Sequence, residues 1–540
     1  MLKPAMMFGD KAVLQRDKPA AVWGEADPGS TVTVQIQGQE VCTVTDDDGK
    51  WIVYLEPLHT SFAEEMTISS GEDTLCYTGI MVGDVWFAAG QSNMEFHMRY
   101  DADFEEEKKV CENAFLRFFD YPEVSFPGQT DMADYGKEYG FWRCCDAENL
   151  ERFPAVAYYC VKELQERFSV PMGILACNYG GSSAMNWIPE EIAERAGDRH
   201  RIEAYHRSLE SMDTEAYKKT YLANPGNFRT DQLADPLSDL MMYGCSFEEF
   251  LNFMAGSVGN GDNGFDISEL AGYAPQIGPL HEWRPAGLYE SMLLPCVPYT
   301  IKGFLWYQGC SDSETKEDAE AYYTVFPALI RHWRDLWKEE LPFLFVQLAP
   351  LACWWQAKGT YYPITRAAQQ HTADTVSKAY MAVTGDVGMK HDIHPKKKKP
   401  VGHRLALLAR HYVYGEDELL CEAPTLSGLS IEAGKITLFF RNAGNGLYFR
   451  EPAPGTEAGS GPNWLRIYQN NELIDLTEAV ITADGSTVSI ESSLIKADSH
   501  IRAVIGETPW YCVDLYNSAG IPARPATVSG ESGESRNLSP

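Results

Sequence analysis

No apolar run in this 540-residue chain approaches the roughly 18–20 residues that cross a bilayer as a helix. The opening Met1-Leu2-Lys3-Pro4 lacks the long apolar stretch of a secretory leader. Together these absences predict a cytoplasmic chain, although a leader cut from a longer precursor leaves the same sequence. Basic residues are scarce: 45 Lys and Arg stand against 77 Asp and Glu, a net charge of -32. Such a surface repels polyanions, which argues against nucleic acid and against an anionic membrane surface as partners. A neutral sugar meets no such barrier. An anionic substrate is decided by local charge, because distant charge is screened within about 8–10 Å. The 13 cysteines are odd in number and show no paired-ligand spacing. Most lie in apolar runs, as Cys160, Cys177 and Cys296 do, which predicts reduced, buried thiols. The chain has no G-x-S-x-G, no phosphate-binding G-x-x-x-x-G-K-[ST] and no G-x-G-x-x-G after a strand. Nucleophile-elbow hydrolases and nucleotide chemistry therefore have no support. There is no internal repeat.

What is present is length enough for two or three domains. Residues 1–80 read as a β domain: Val32-Thr33-Val34-Gln35-Ile36 alternates, and Trp51–Leu55 follows the polar turn Asp46–Gly49. From 81 to 415 the pattern is α/β. Apolar runs at Val82–Ala89, Met172–Cys177, Ile301–Trp306, Leu341–Leu348 and Ala379–Val383 alternate with helical periodicity, as at Ala155–Phe168 and near Ala319–Trp337. That alternation predicts a parallel sheet covered on both faces. An insertion at about 195–285 interrupts it, helical over Arg201–Tyr221 and Gly/Asn-rich over Met254–Gly264. Strand patterns return over 416–527, predicting a second β domain. The Ser/Gly/Glu-rich residues 528–540 read as a disordered tail.

The residues directly after the buried runs carry the chemistry, since ligands of an open parallel sheet bind outside the carboxyl ends of its strands. The first run leads into Gly90-Gln91-Ser92-Asn93-Met94, the second into Asn178-Tyr179-Gly180-Gly181-Ser182, the third into Tyr307-Gln308-Gly309. A hydroxyl, a glycine pair and a neutral amide thus fall at one edge. Acyl transfer needs a nucleophile, backbone N–H groups and a side-chain donor that needs no protonation change. A fourth segment, His391-Asp392-Ile393-His394-Pro395, precedes a helix bearing Val401, Leu405, Leu408 and Tyr412 on one face. The order Ser92, Asp392, His394 suits a nucleophile, an orienting acid and a base. A metal site built from His391, Asp392, His394 and His403 is the rival. The run Lys396–Lys399, read as a solvated face, opposes a dication there.

These segments resemble those of the sialate O-acetylesterase-like proteins in the SGNH hydrolase superfamily. Gly83-Asp84-Val85-Trp86 with Gly90-Gln91-Ser92-Asn93-Met94 is similar to the family's first block. Tyr179-Gly180-Gly181-Ser182 resembles its Trp-Gly-Gly-Thr segment, and Trp306-Tyr307-Gln308-Gly309 its Trp-Tyr-Gln-Gly-Glu segment. Asp392-Ile393-His394-Pro395, with Lys398, Gly402 and Arg404, resembles the last block. Val13–Arg16 with Trp23-Gly24, and Leu515–Asn517 with Gly520–Ala523, extend the likeness to both ends. The resemblance implies a flavodoxin-like three-layer domain flanked by N- and C-terminal β-sandwich-like domains, with no cofactor and no metal. It implies Ser92 as nucleophile and His394 as base. The N–H of Ser92, an N–H of Gly180 or Gly181, and the Gln308 amide would hold the oxyanion. Departures from the family are Cys310 where Glu is usual, Glu290-Ser291 where Tyr-Asn-Gly-Met is usual, and His391 at the position of the acid. Asp386 is the alternative to Asp392.

The expected substrate is an acetylated sugar or oligosaccharide, from sialic acid or a plant glycan. Trp187, just past the glycine pair, is a candidate sugar-binding face or a core residue, as are Trp354 and Trp355. Arg284 either binds the sugar or pairs with a structural acid. A lipase or thioesterase with a long acyl groove and a non-catalytic glycan-binding protein are the competing functions.

Overall fold

The apolar run at Val82–Ala89 is the second half of one long strand, Asp73–Gly90. The structure, a computed structural model, describes residues 1–540 apart from 235, 247, 251, 253–275, 356, 451–461 and 532–540. The chain divides into two compact units, Met1–Ser311 with Thr324–Phe345, and Asp312–Tyr323 with Val346–Pro540.

In the first unit the long strand does two things. Up to Gly79 its residues are exposed or partly exposed, and from Ile80 to Gly90 all are buried. Its first half pairs antiparallel with Ser61–Ser70, which pairs with Thr31–Ile36 and through it with Gln39–Val44. Its second half lies between two parallel neighbours, Met172–Asn178 and Gly303–Tyr307. Asn113–Asp120 continues beyond the former and Phe343–Val346 beyond the latter, both parallel. Trp142–Cys145 closes one edge antiparallel. The result is an α/β architecture on a central mixed sheet. The change of composition at residue 80 therefore falls inside a single strand: one face is solvated before it and both faces are covered after it.

Helix Ala155–Phe168 covers the sheet as its periodicity predicts, burying Val156, Tyr159, Cys160 and Leu164. Trp333, on helix Lys316–Trp337, packs its ring 5.4 Å from Phe304 and 6.0 Å from Phe343. The predicted helix Arg201–Tyr221 is two, Arg199–Glu210 and Thr214–Ala223. The break comes at Asp213, whose carboxylate caps the second helix by accepting from the Ala216 N–H at 3.0 Å. Met254–Gly264 lies outside the described residues.

The second unit holds the strand Ala379–Ala382 and the helices Tyr362–Thr375 and Lys399–Tyr412. Two four-stranded antiparallel sheets follow. They share one apolar core, with Ile436, Leu438, Val488 and Ile490 from one sheet and Leu465, Ile467, Ile501 and Ile505 from the other. The start of the predicted tail is a correction: residues 528–531 belong to the strand Ala526–Glu531, paired with His500–Ile505, while 532–540 lie outside the described residues. The strand's alternating small and polar residues suit an edge strand with one face solvated, and composition alone hides that. The 13 cysteines form no disulfide; Cys160, Cys177 and Cys296 are buried, while Cys42 and Cys76 are exposed. No helix among the described residues is long and apolar enough to cross a membrane.

Candidate active site

The sheet order reverses at the strand ending in Gly90, whose parallel neighbours diverge to either side. A crevice at such a reversal is where α/β sheets take ligands. Gly90 has φ 147°, and a Cβ there would run into the Tyr307 carbonyl. Only glycine lets the two strand ends come this close. Gln91 then ties the turns together. Its backbone N–H donates to the Tyr307 carbonyl at 3.2 Å. Its Oε1 accepts from the N–H groups of Gly309 and Cys310, both at 3.0 Å. Ser92 opens the short helix Ser92–Glu95 and is 8% exposed.

The second turn is fastened to the first, since the Tyr179 N–H donates to the Gly90 carbonyl at 3.1 Å. A Cβ on Gly180 would stand 3.7 Å from the Ser92 Cβ and 3.3 Å from Glu95 Oε2. Gly181 has φ 70°, the left-handed region. Gln308 is fully buried, and its Nε2 donates to the Ser182 carbonyl at 3.0 Å. That bond fixes the plane of the amide. Cys310, in the place of the family's Glu, puts its Sγ 4.0 Å from Asn93 Nδ2. The first unit thus gathers Ser92, Gly180, Gly181 and Gln308 at one sheet edge.

The second unit carries His394 and Asp392. His394 is 3% exposed, and burial together with Lys396 and Lys398 pushes its imidazole well below the usual pKa. Asp392 Oδ1 accepts the backbone N–H of His394 at 2.8 Å but lies 3.9 Å from its Nδ1. Its other oxygen pairs with Lys396 at 2.9 Å. The predicted acid therefore braces the loop instead of bonding the ring. Asp386 is engaged elsewhere, accepting two hydrogen bonds from the Arg404 guanidinium at 2.8 and 2.6 Å and one from the Tyr516 hydroxyl at 3.0 Å.

Other expectations are corrected. Trp187 is fully buried, with its indole N–H on Ser182 Oγ at 3.0 Å and its ring 6.2 Å from that of Trp306. It is a core residue and offers no face to a sugar. Arg284 pairs with Glu290 at 2.6 Å, the structural acid of the two alternatives. The lysine run is not a uniform solvated face, because Lys398 is buried at the entry to helix Lys399–Tyr412. Among the described residues no three His, Cys, Asp or Glu are grouped to hold a metal ion. His391 instead lies 3.2 Å from the Cys353 thiol. Trp354 sets its ring 5.6 Å from His394 and stacks on Trp355 at 4.0 Å.

Two residues went unnoticed in the sequence. Asn186, fully buried, donates to the carbonyls of Trp283 and Arg284 at 2.9 and 3.0 Å. Trp283 donates its indole N–H to the Gly180 carbonyl at 3.3 Å. Its position directly before Arg284 was the one available signal.

The sequence model of a carbohydrate esterase family, described as sialic acid-specific acetylesterase, matches residues 277–410. The sialate O-acetylesterase of Mus musculus is 26% identical over 448 residues, covering 76% of this chain and 73% of that protein. A crystal structure of a carbohydrate acetylesterase from Xanthomonas citri superimposes with a TM-score of 0.69 at 26% identity, covering 98% of this chain and 99% of that one. The likeness to sialate O-acetylesterases and carbohydrate acetylesterases thus runs over most of the chain. The sialate O-acetylesterase of Homo sapiens, 24% identical, covers 96% of the chain and 91% of its own length. These homologues and the matched esterase model indicate a carboxylic ester hydrolase. The family match takes in Gln308, Asp392 and His394, whereas Ser92 and the glycine pair lie outside it.

Proposed function

We propose that this esterase removes O-acetyl groups from carbohydrates through an acetyl-serine intermediate, with Ser92 as nucleophile and His394 as base. The observation that carries the reading is the packing of Ser92 against Gly180, beside the Gln308 amide, at the sheet's point of reversal. We read the sheet as the flavodoxin-like SGNH arrangement and the paired sheets after residue 416 as a β-sandwich. His394 takes the Ser92 proton as Oγ attacks the acetyl carbonyl. The N–H of Ser92, an N–H of the glycine pair and the Gln308 amide receive the developing oxyanion. One such donor is typically worth about 10²–10³ in turnover. His394 returns the proton to the departing sugar hydroxyl, and water then clears the acetyl-enzyme by the same route reversed. No cofactor enters any step.

The pKa shift of His394 supports this role. Burial and two neighbouring lysines disfavour its imidazolium, so the resting ring is the neutral base that the first step needs. Ser92→Ala should abolish hydrolysis of 4-nitrophenyl acetate and of acetylated xylo-oligosaccharides while leaving the circular dichroism spectrum unchanged. Retention of full activity removes Ser92 from the mechanism. A series of 4-nitrophenyl esters separates this reading from a lipase or thioesterase: turnover should fall steeply beyond the acetate.

A further inference from the structure

Trp283 stands against the glycine pair from outside the strand-end turns. A Cβ on Gly181 would come within 2.6 Å of its Cζ2, so the indole lies directly on that glycine. The indole N–H donates to the Gly180 carbonyl at 3.3 Å. Its backbone is clamped from beneath by Asn186, which also accepts from the Ser183 N–H at 2.7 Å. Its own backbone N–H donates to His281 Nδ1 at 3.1 Å, and the two rings sit 5.2 Å apart. Three contacts on the ring and two on its backbone thus fix a side chain that is nevertheless partly exposed. Core packing does not call for this, because a tryptophan serving only the core is enclosed, as Trp187 is. A rigid, part-exposed indole touching the peptide expected to hold the oxyanion is suited to receive the apolar C–H face of a sugar, with no side-chain entropy lost on binding.

We propose that Trp283 is the stacking platform for the pyranose ring that carries the acetyl group. The proposal rests on the assignment of Ser92 as nucleophile. Through Gly180 the same residue is a positioning residue for the oxyanion peptide, so its two contributions need separate readouts. The measurement compares a mono-O-acetylated methyl xyloside with 4-nitrophenyl acetate, which has no pyranose, in wild type, Trp283→Phe and Trp283→Ala. Trp283→Ala should raise KM for the xyloside about tenfold, the worth of one good ring contact, with KM for 4-nitrophenyl acetate unchanged. Any fall in kcat shared by both substrates reports the lost bond to Gly180. Trp283→Phe keeps a ring and loses the N–H: it should show that shared fall in kcat but a xyloside KM within about twofold of wild type. The platform is refuted if Trp283→Ala leaves the xyloside KM unchanged or shifts both substrates by the same factor. It is equally refuted if Phe fails to restore the KM. Residual 4-nitrophenyl acetate turnover certifies that each variant is folded. Ser92→Ala is run alongside: activity there sinks the nucleophile assignment, whereas an inactive Ser92→Ala with an unmoved KM ratio sinks only the platform.

Discussion

Asp392 and His394 are two residues apart in sequence, yet the nearest carboxylate oxygen is 3.9 Å from the imidazole Nδ1 and already accepts a backbone N–H. The carboxylate lowers the energy of this loop, and Lys396 balances its charge. With Lys396 and Lys398 beside a buried ring, protonation of His394 is opposed from two directions. The sign for catalysis follows. The base form persists on the acid side of the ordinary imidazole pKa of 6.5 and is lost only when pH falls through the depressed value. The acid limb of kcat/KM should therefore have its midpoint below pH 6.5, as a pH–rate profile with 4-nitrophenyl acetate can test; a midpoint at or above that value contradicts the role given to burial. At this same scale the sequence was a good guide to residue type and a poor one to partner. Arg284 could equally have met a sugar or an acid, and the fold supplied Glu290.

At the scale of elements, the three strand ends work only if their turns stay in register, and Gln91 does most of that. One side-chain oxygen serves two backbone N–H groups on the turn after Tyr307. Gln91→Leu conserves volume and leaves both donors without that acceptor. At about 1–3 kcal/mol for an unsatisfied buried donor, it should lower the stability of the first unit by at least that much, read from denaturant unfolding. Turnover should fall with it, because Gly309 neighbours Gln308. The elements themselves were largely legible. The strands predicted at Met172–Cys177 and Ala379–Val383 appear as Met172–Asn178 and Ala379–Ala382, and helix Ala155–Phe168 has the predicted bounds. Periodicity records which faces are buried, and that is a local property. The single strand spanning residue 80 was not legible, because a change from one covered face to two looks like a boundary in composition.

For the whole molecule, the instructive segment is the end of the second unit. Composition marks everything after residue 527 as tail, but Val528–Gly530 pair with Ile501–Ala503 in a four-stranded sheet. Gly530 also lies against Leu429 of the other sheet. A chain ending at Thr527 should melt at a lower temperature than one ending at Glu531, in a scan that resolves the second unit. Equal melting temperatures would show that this edge strand contributes nothing to stability. Chain composition is silent here because edge pairing takes its energy from backbone hydrogen bonds, which Ser, Gly and Glu make as well as any residue.

By itself the sequence determined which side chains stand at the ends of the buried strands: Ser92, the glycine pair, Gln308 and, on its own loop, His394. Buried strands must be apolar and the turns that close them must be small or polar, so both leave their mark in residue order. Only the tertiary structure decided between like residues. Trp187 went to the core while Trp283 came to rest on Gly181, and the carboxylate of Asp392 turned to a backbone N–H and Lys396. Those outcomes depend on contacts between segments far apart in the chain, and spacing along the sequence carries no record of which of two equivalent side chains will find the space.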